Sequence, residues 1–172
     1  VFNNANSATP GAAIAAQDTP VSVVGTANAQ LWILIHAGAS NLAVSGQSFK
    51  LQFNQSTINT CDGAGAAYAD LVQGSGFMRY INNSVPADGD AITDDGSVTH
   101  GSDTVVAQTY EESNNFTNSQ VAINSGQDGL WGFAIQHNSV GAPTNVSHCL
   151  RVVKSDGSVL DTYGQTPRIN VP

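Results

Sequence analysis

The stretch best suited to ligand chemistry is Asp88-Gly-Asp-Ala-Ile-Thr-Asp-Asp-Gly96. Asp88, Asp90, Asp94 and Asp95 crowd a turn-rich segment, and hard carboxylate oxygens suit Ca²⁺. The spacing is not that of an EF-hand loop, whose bidentate Glu is missing, so a solvated acidic loop is the competing expectation. Calcium is the only cofactor the sequence suggests. The four histidines, His36, His100, His137 and His148, show no metal-ligand spacing. His148 adjoins Cys149, and on a strand the two side chains point to opposite faces, which disfavours a thiol–imidazole nucleophile. Glu111 and Glu112, the only glutamates, are adjacent and diverge in an extended chain. A glycosidase needs two carboxylates about 5–10 Å apart across a cleft, and nothing marks out such a pair. Nucleophile elbows, phosphate-binding glycine loops and zinc His-Glu motifs are all missing. The expectation is a protein that is not an enzyme.

The two cysteines carry the clearest covalent signal. Cys149 lies in Asn145-Val-Ser-His-Cys-Leu-Arg-Val-Val-Lys154, and Cys61 lies far upstream beside a Gly/Ala-rich stretch. In an oxidising compartment the pair is expected to form a disulfide; two buried thiols are the alternative. Four Asn-x-Ser/Thr sequons stand at Asn54, Asn82, Asn115 and Asn145. In so Asn- and Ser-rich a chain chance supplies several, so they are glycosylation acceptors by pattern only.

The elements that must position these residues are strands. With 172 residues the chain suits one domain with its own core. Charged residues make up 10% of it, against roughly 25% in ordinary soluble domains. The surface is therefore Ser, Thr, Asn, Gln and Gly, which fits an exported protein. The net charge is −8, and the basic residues Lys50, Arg79, Arg151, Lys154 and Arg168 are scattered. Nucleic acid is excluded as a partner by this lack of a basic footprint, and no apolar run approaches a membrane span. The opening Val1-Phe2 reads as the start of a processed, secreted chain, with trimming as the alternative.

Residues 1–20 are small, uncharged until Asp18 and bent at Pro10-Gly11, which reads as an extended N-terminal arm. Residues 21–172 then read as one β-domain. Strands are expected over Val21–Ala27 and Leu31–Ala37, taken as a first pair. Gln47–Gln55 follows, with Phe49, Leu51 and Phe53 on one face. Phe77–Ile81, Thr104–Tyr110 and Ser119–Asn124 are shorter. Leu130–Asn138 places Trp131, Phe133 and Ile135 together, and Ser147–Lys154, Ser158–Thr162 and Arg168–Val171 finish the chain. Asp156-Gly157 is the turn that closes a tight hairpin. Asp62–Gly76 has room for one helical turn. Short strands at such spacing predict an all-β, antiparallel two-sheet sandwich.

Four strings carry a resemblance: Ala5-Asn-Ser-Ala-Thr-Pro-Gly-Ala-Ala-Ile-Ala-Ala-Gln-Asp-Thr-Pro20, Thr109-Tyr-Glu-Glu-Ser-Asn-Asn-Phe-Thr-Asn118, Gly126-Gln-Asp-Gly-Leu-Trp-Gly-Phe133 and Cys149-Leu-Arg-Val-Val-Lys-Ser-Asp-Gly157. In this order, over nearly the whole chain, they resemble a module of surface proteins of uncultivated bacteria. In that family such modules are often strung in tandem in large secreted proteins. The resemblance implies an Ig- or fibronectin-like sandwich in a structural, cell-surface setting, and no catalytic residues.

The functional expectation is a secreted subunit that polymerises with copies of itself into a surface filament. The arm, through Val1, Phe2, Ala5, Ala8, Ala12, Ile14 and Ala16, would add as a donor strand to an open sheet edge of a neighbour. Alternatively the arm folds back as the first strand of its own domain. The second functional expectation is an adhesin or carbohydrate-binding module, recognising glycans or other surface proteins. Exposed aromatics among Trp32, Tyr68, Tyr80 and Tyr110 would mark it, and core packing is the competing role of Trp32 and Trp131.

Overall fold

The computed structural model describes residues 1–4, 6–56, 61, 67–138 and 143–172. Among the described residues eleven strands form two sheets that pack face to face. The first sheet runs β1 (Phe2–Asn3), β3 (Ala27–His36), β9 (Gln127–His137), β6 (Met78–Tyr80), with β7 (Thr104–Glu111) also on β9. The second runs β2 (Val21–Ser22), β11 (Arg168–Val171), β10 (Val146–Lys154), β4 (Ser48–Ser56), β5 (Ala69–Asp70), with β8 (Phe116–Thr117) also on β4. The all-β sandwich expected from the strand spacing is the fold observed.

The alternating residues meet between the sheets. Phe49 and Leu51 of β4, Trp131, Phe133 and Ile135 of β9, and Leu150 and Val152 of β10 build the main core. Trp131 is fully buried, packs edge-on to Phe49 at 6.0 Å, and donates its indole N–H to the Thr117 carbonyl at 3.2 Å. A second cluster lies on the outer face of the first sheet. There Trp32, Leu130 and Ala134 are covered by Phe2, Ile92, Val98 and Tyr110. β9 is thus buried on both faces. Gly132 serves that role, because a Cβ there would stand 2.9 Å from Trp32 Nε1.

Pairing departs from the expected pattern in several places. β7 runs parallel to β9, and β2 parallel to β11, so neither sheet is purely antiparallel. β2 and β3, taken from the sequence as a pair, belong to different sheets. The Asp156-Gly157 turn forms, with Gly157 at φ +90° and Asp156 accepting from Ser158 N at 2.8 Å. Its return is a single bridge, Val153 to Val159, rather than a strand over Ser158–Thr162. Tyr163 explains this: its hydroxyl donates to the Val152 carbonyl at 2.6 Å and accepts from Leu160 N, drawing the chain into a loop. Ser119–Asn124 likewise supplies only the bridge of Ile123 to Leu42. The stretch 62–66 lies outside the described residues, and 67–76 holds β5 rather than a helical turn.

The N-terminal segment is not an extended arm. Phe2 and Asn3 pair antiparallel with Gln30 and Ala29 at the start of β3. The chain then turns and comes back along β1, with Asn3 N donating to Ala12 O at 2.9 Å and Ile14 N to Val1 O at 3.0 Å. Phe2 is buried edge-on against Trp32 at 6.0 Å, and Ile14 leans on the main core. The reversal falls over residues 6–9, where Asn6 takes φ +47°, and not at Pro10-Gly11. Gly11 is already on the returning limb, donating to Asn3 O at 3.2 Å, and burial of Phe2 drives the return. Val1 and Ala8 are half-buried, Ala12 and Ala16 are exposed, and Ala5 lies outside the described residues.

Candidate functional site

The most unusual surface is the free edge of β3. Ala37 exchanges backbone hydrogen bonds with β9 and its flank, donating to Gln127 O at 2.9 Å and accepting from Gly126 N at 2.7 Å. In an antiparallel ladder this phase alternates, so Leu31, Ile33 and Ile35 bond to β9. Gln30, Trp32, Leu34 and His36 direct their N–H and C=O groups the other way. β1 meets Gln30. From Trp32 to His36 no described segment adds a strand. Those residues leave three N–H and three C=O groups along about 17 Å of edge.

A groove of about 1000 Å³ follows this edge into the gap between the sheets. Leu31, Ile33, Ile35, Val152 and Leu160 give it an apolar floor, and residues Ala15–Pro20 cross it on the way to β2. Gln17 pins that crossing, donating to Thr99 O and accepting from Thr99 N, both at 2.7 Å. Edge strands normally carry lysine, proline, a bulge or a covering loop; β3 has no lysine, proline or bulge between Trp32 and His36, and its cover among the described residues is the 15–20 crossing. The site can therefore pair with an extended backbone and take up alternate small or apolar side chains.

At the far end of the edge, His36 stands opposite Asp128 in the ladder, with Nδ1 2.9 Å from its Oδ1 and 3.5 Å from Asp103 Oδ2. Among the described residues this is the one group of three His, Cys or acidic side chains close enough to share an ion. Positions 36, 103 and 128 come from three adjacent strands or their flanks, and no sequence spacing could reveal them. The four expected calcium ligands do not converge in this way. Asp88 accepts from Glu112 N at 2.6 Å and Ser113 Oγ at 2.8 Å, and Asp90 from Ala87 N at 2.8 Å. Asp94 and Asp95 each accept a backbone N–H two residues on, at 3.0 Å. Asp90, Asp94 and Asp95 thus have the geometry of turn-forming aspartates, whereas Asp88 ties its loop to the chain just after β7.

The cysteines are joined: Cys61 and Cys149 form a disulfide with Cα atoms 5.5 Å apart. Of the sequon asparagines, Asn82, Asn115 and Asn145 are exposed, while Asn54 is half-buried within β4. Trp32, Tyr80 and Tyr110 are buried. Tyr68 is half-buried with the Arg151 guanidinium 3.8 Å above its ring. Burial closes three of the four to sugar stacking, and Arg151 covers one face of the fourth, Tyr68.

Two buried titratable groups set opposing pH dependences. Burial, reinforced by Asp88, raises the Glu111 carboxyl from 4.5 to about 8 against the opposing hydrogen bond from Thr109. Its proton stabilises the fold below pH 4.5, and that contribution is lost as pH rises through 8. Burial beside His137 lowers His148 from 6.5 to about 4, so its contribution is full above pH 6.5 and is lost as pH falls through 4. Melting temperature measured against pH should therefore fall from pH 6.5 to 8, and Glu111→Gln should flatten that limb. In the Glu111→Gln background His148→Phe should flatten the acid limb. Unchanged limbs would show that neither group is charged at its cost in the fold.

Comparison with protein-family models, with curated proteins and with solved structures returned no match. The reading of function rests on the chain itself.

Proposed function

We propose that this protein is an extracellular structural subunit that polymerises into a cell-surface filament by β-strand addition, its N-terminal segment joining the open β3 edge of a second copy. The observation that carries this reading is the unpaired edge from Trp32 to His36, with an apolar groove beside it. The N-terminal segment supplies a matching strand: small, uncharged side chains with Phe2 and Ile14 as anchors. It already pairs with the first positions of the same edge within its own chain. Transfer to a neighbour would exchange a two-residue pairing for one reaching along the open edge, which is a domain-swap route to a head-to-tail fibre. The disulfide supports an oxidising, extracellular setting. Among the described residues no helix is long and apolar enough to cross a membrane.

Electron microscopy of the protein with and without residues 1–17 tests the proposal. Filaments should form from the full chain and disappear on truncation, and added peptide 1–17 should stop growth of the full chain. Circular dichroism keeps the result readable, because the truncation also removes Phe2 and Ile14 from their packing. Filaments from a folded truncated protein would overturn the arm's role. Monodisperse particles in both samples would favour the adhesin reading.

A further inference from the structure

The rings of His137 and His148 meet across the two sheets, with centroids 5.4 Å apart. Relative exposure is 2% for His137, at the end of β9, and 0% for His148, near the start of β10. Residues two positions away on the same faces, Ile135, Val146 and Leu150, belong to the main core, so both imidazoles project between the sheets. His137 Nδ1 lies 3.0 Å from the Gly25 carbonyl. A carbonyl only accepts, so Nδ1 carries the proton and Nε2 a lone pair. That Nε2 and both ring nitrogens of His148 are buried without a partner. A buried ring nitrogen is costly when nothing meets it, so three in one place call for an occupant. Met78 stands opposite His137 in the β6–β9 ladder and is itself fully buried. Directly opposed Cβ atoms lie about 4.5–5.5 Å apart, which puts a thioether side chain beside the pair.

We propose that His137 and His148, with Met78 beside them, form a binding site for a soft, singly charged d¹⁰ cation of the Cu(I) type. A ring N–H given to a backbone carbonyl, which leaves the other nitrogen for the ion, is how proteins orient metal-binding histidines. With metal–nitrogen bonds of about 2.0–2.1 Å, two imidazoles on one tetrahedral ion hold their ring centres roughly 5 Å apart, close to the spacing here. The charge of the ion follows from its surroundings. The donors are neutral and the adjoining core is apolar. A doubly charged ion would be buried without the carboxylate or thiolate that compensates it. Imidazole with thioether suits a soft monovalent ion instead.

The test uses the intact folded chain with Ag(I) as an air-stable probe, and Cu(I) under anaerobic conditions. Native mass spectrometry should give one tightly held ion per chain, and the side-chain nitrogen resonances of His137 and His148 should both shift. At about a hundredfold excess over Kd the melting temperature should rise by about 5–10 °C. Met78→Leu should weaken binding at least about tenfold, and Zn(II) should leave the two rings unmoved. The proposal is overturned if neither probe shifts the two histidines, as when only a water bridges them, or if the ion is held by His36 or His100 instead. Equal binding of Zn(II) and Ag(I) would overturn the choice of ion. Each decisive reading is made on the unsubstituted chain.

Discussion

Leu34→Pro should give a subunit that folds, stays monomeric and builds no filaments, whereas Ile35→Pro, one residue on, should not fold stably. The contrast follows from the phase of β3. Leu34 directs its N–H to the open edge, so proline there removes a donor that β9 does not use. Proline also requires an extended preceding residue, and Ile33 already lies within the strand. The cost is confined to the half-buried Leu34 side chain, about 1–2 kcal/mol. Ile35 instead donates to β9, opposite Gly129. Its loss orphans a buried carbonyl, worth about 1–3 kcal/mol, and adds ring clash within a paired strand. Urea unfolding separates the two variants, and electron microscopy of the folded one reads the assembly. Filaments formed by folded Leu34→Pro protein would move the acceptor site away from β3.

Removal of the disulfide is the second large effect. Cys61 and Cys149 are 88 positions apart, and a closed loop of that size restrains the unfolded chain by about 4–5 kcal/mol in the chain-entropy account. For a domain of this length that corresponds to a fall of about 10–20 °C in melting temperature. Cys61→Ala/Cys149→Ala should show it, and so should the reduced unsubstituted protein. Cys149 is fully buried on β10, so two alanines also leave a small void that adds to the loss. A double variant melting within a few degrees of the parent would mean that the outer face of the second sheet holds itself in place. Arg151 stacked over Tyr68 is the contact that would do so.

Much of the sandwich was legible in the residues because period-2 alternation reports which face is buried. Phe49, Leu51 and Phe53 of β4, and Trp131, Phe133 and Ile135 of β9, all turn to the main core as the pattern required. The Asp156-Gly157 turn and the Cys61–Cys149 pair were likewise readable from local chemistry. Alternation is silent on neighbours, however. Nothing in the run Leu31–Ile35 says that β9 lies on one side of it and open groove on the other. The parallel placement of β7 on β9 depends on a connection passing over the sheet, which no turn motif encodes. His137 and His148 were visible as isolated residues but not as a pair, because their meeting requires the register of two different sheets. The N-terminal segment reads as extended because its small residues carry little signal, and the choice between an arm and a fold-back is left open. Phe2 and Ile14 were the apolar anchors that could have told of its return.

The parallel pair β2–β11 has a consequence for when this domain can exist. Val21 aligns with Ile169, so a strand near the start of the chain is held in its sheet by one near residue 170. Contacts this distant in sequence form late, because the loop between them must close before they contribute. A chain folding as it is made would hold its second sheet incomplete until β10 and β11 arrive. Closure of the second sheet thereby waits on β11, and the segment ahead of β2 gains a rigid anchor only at that moment.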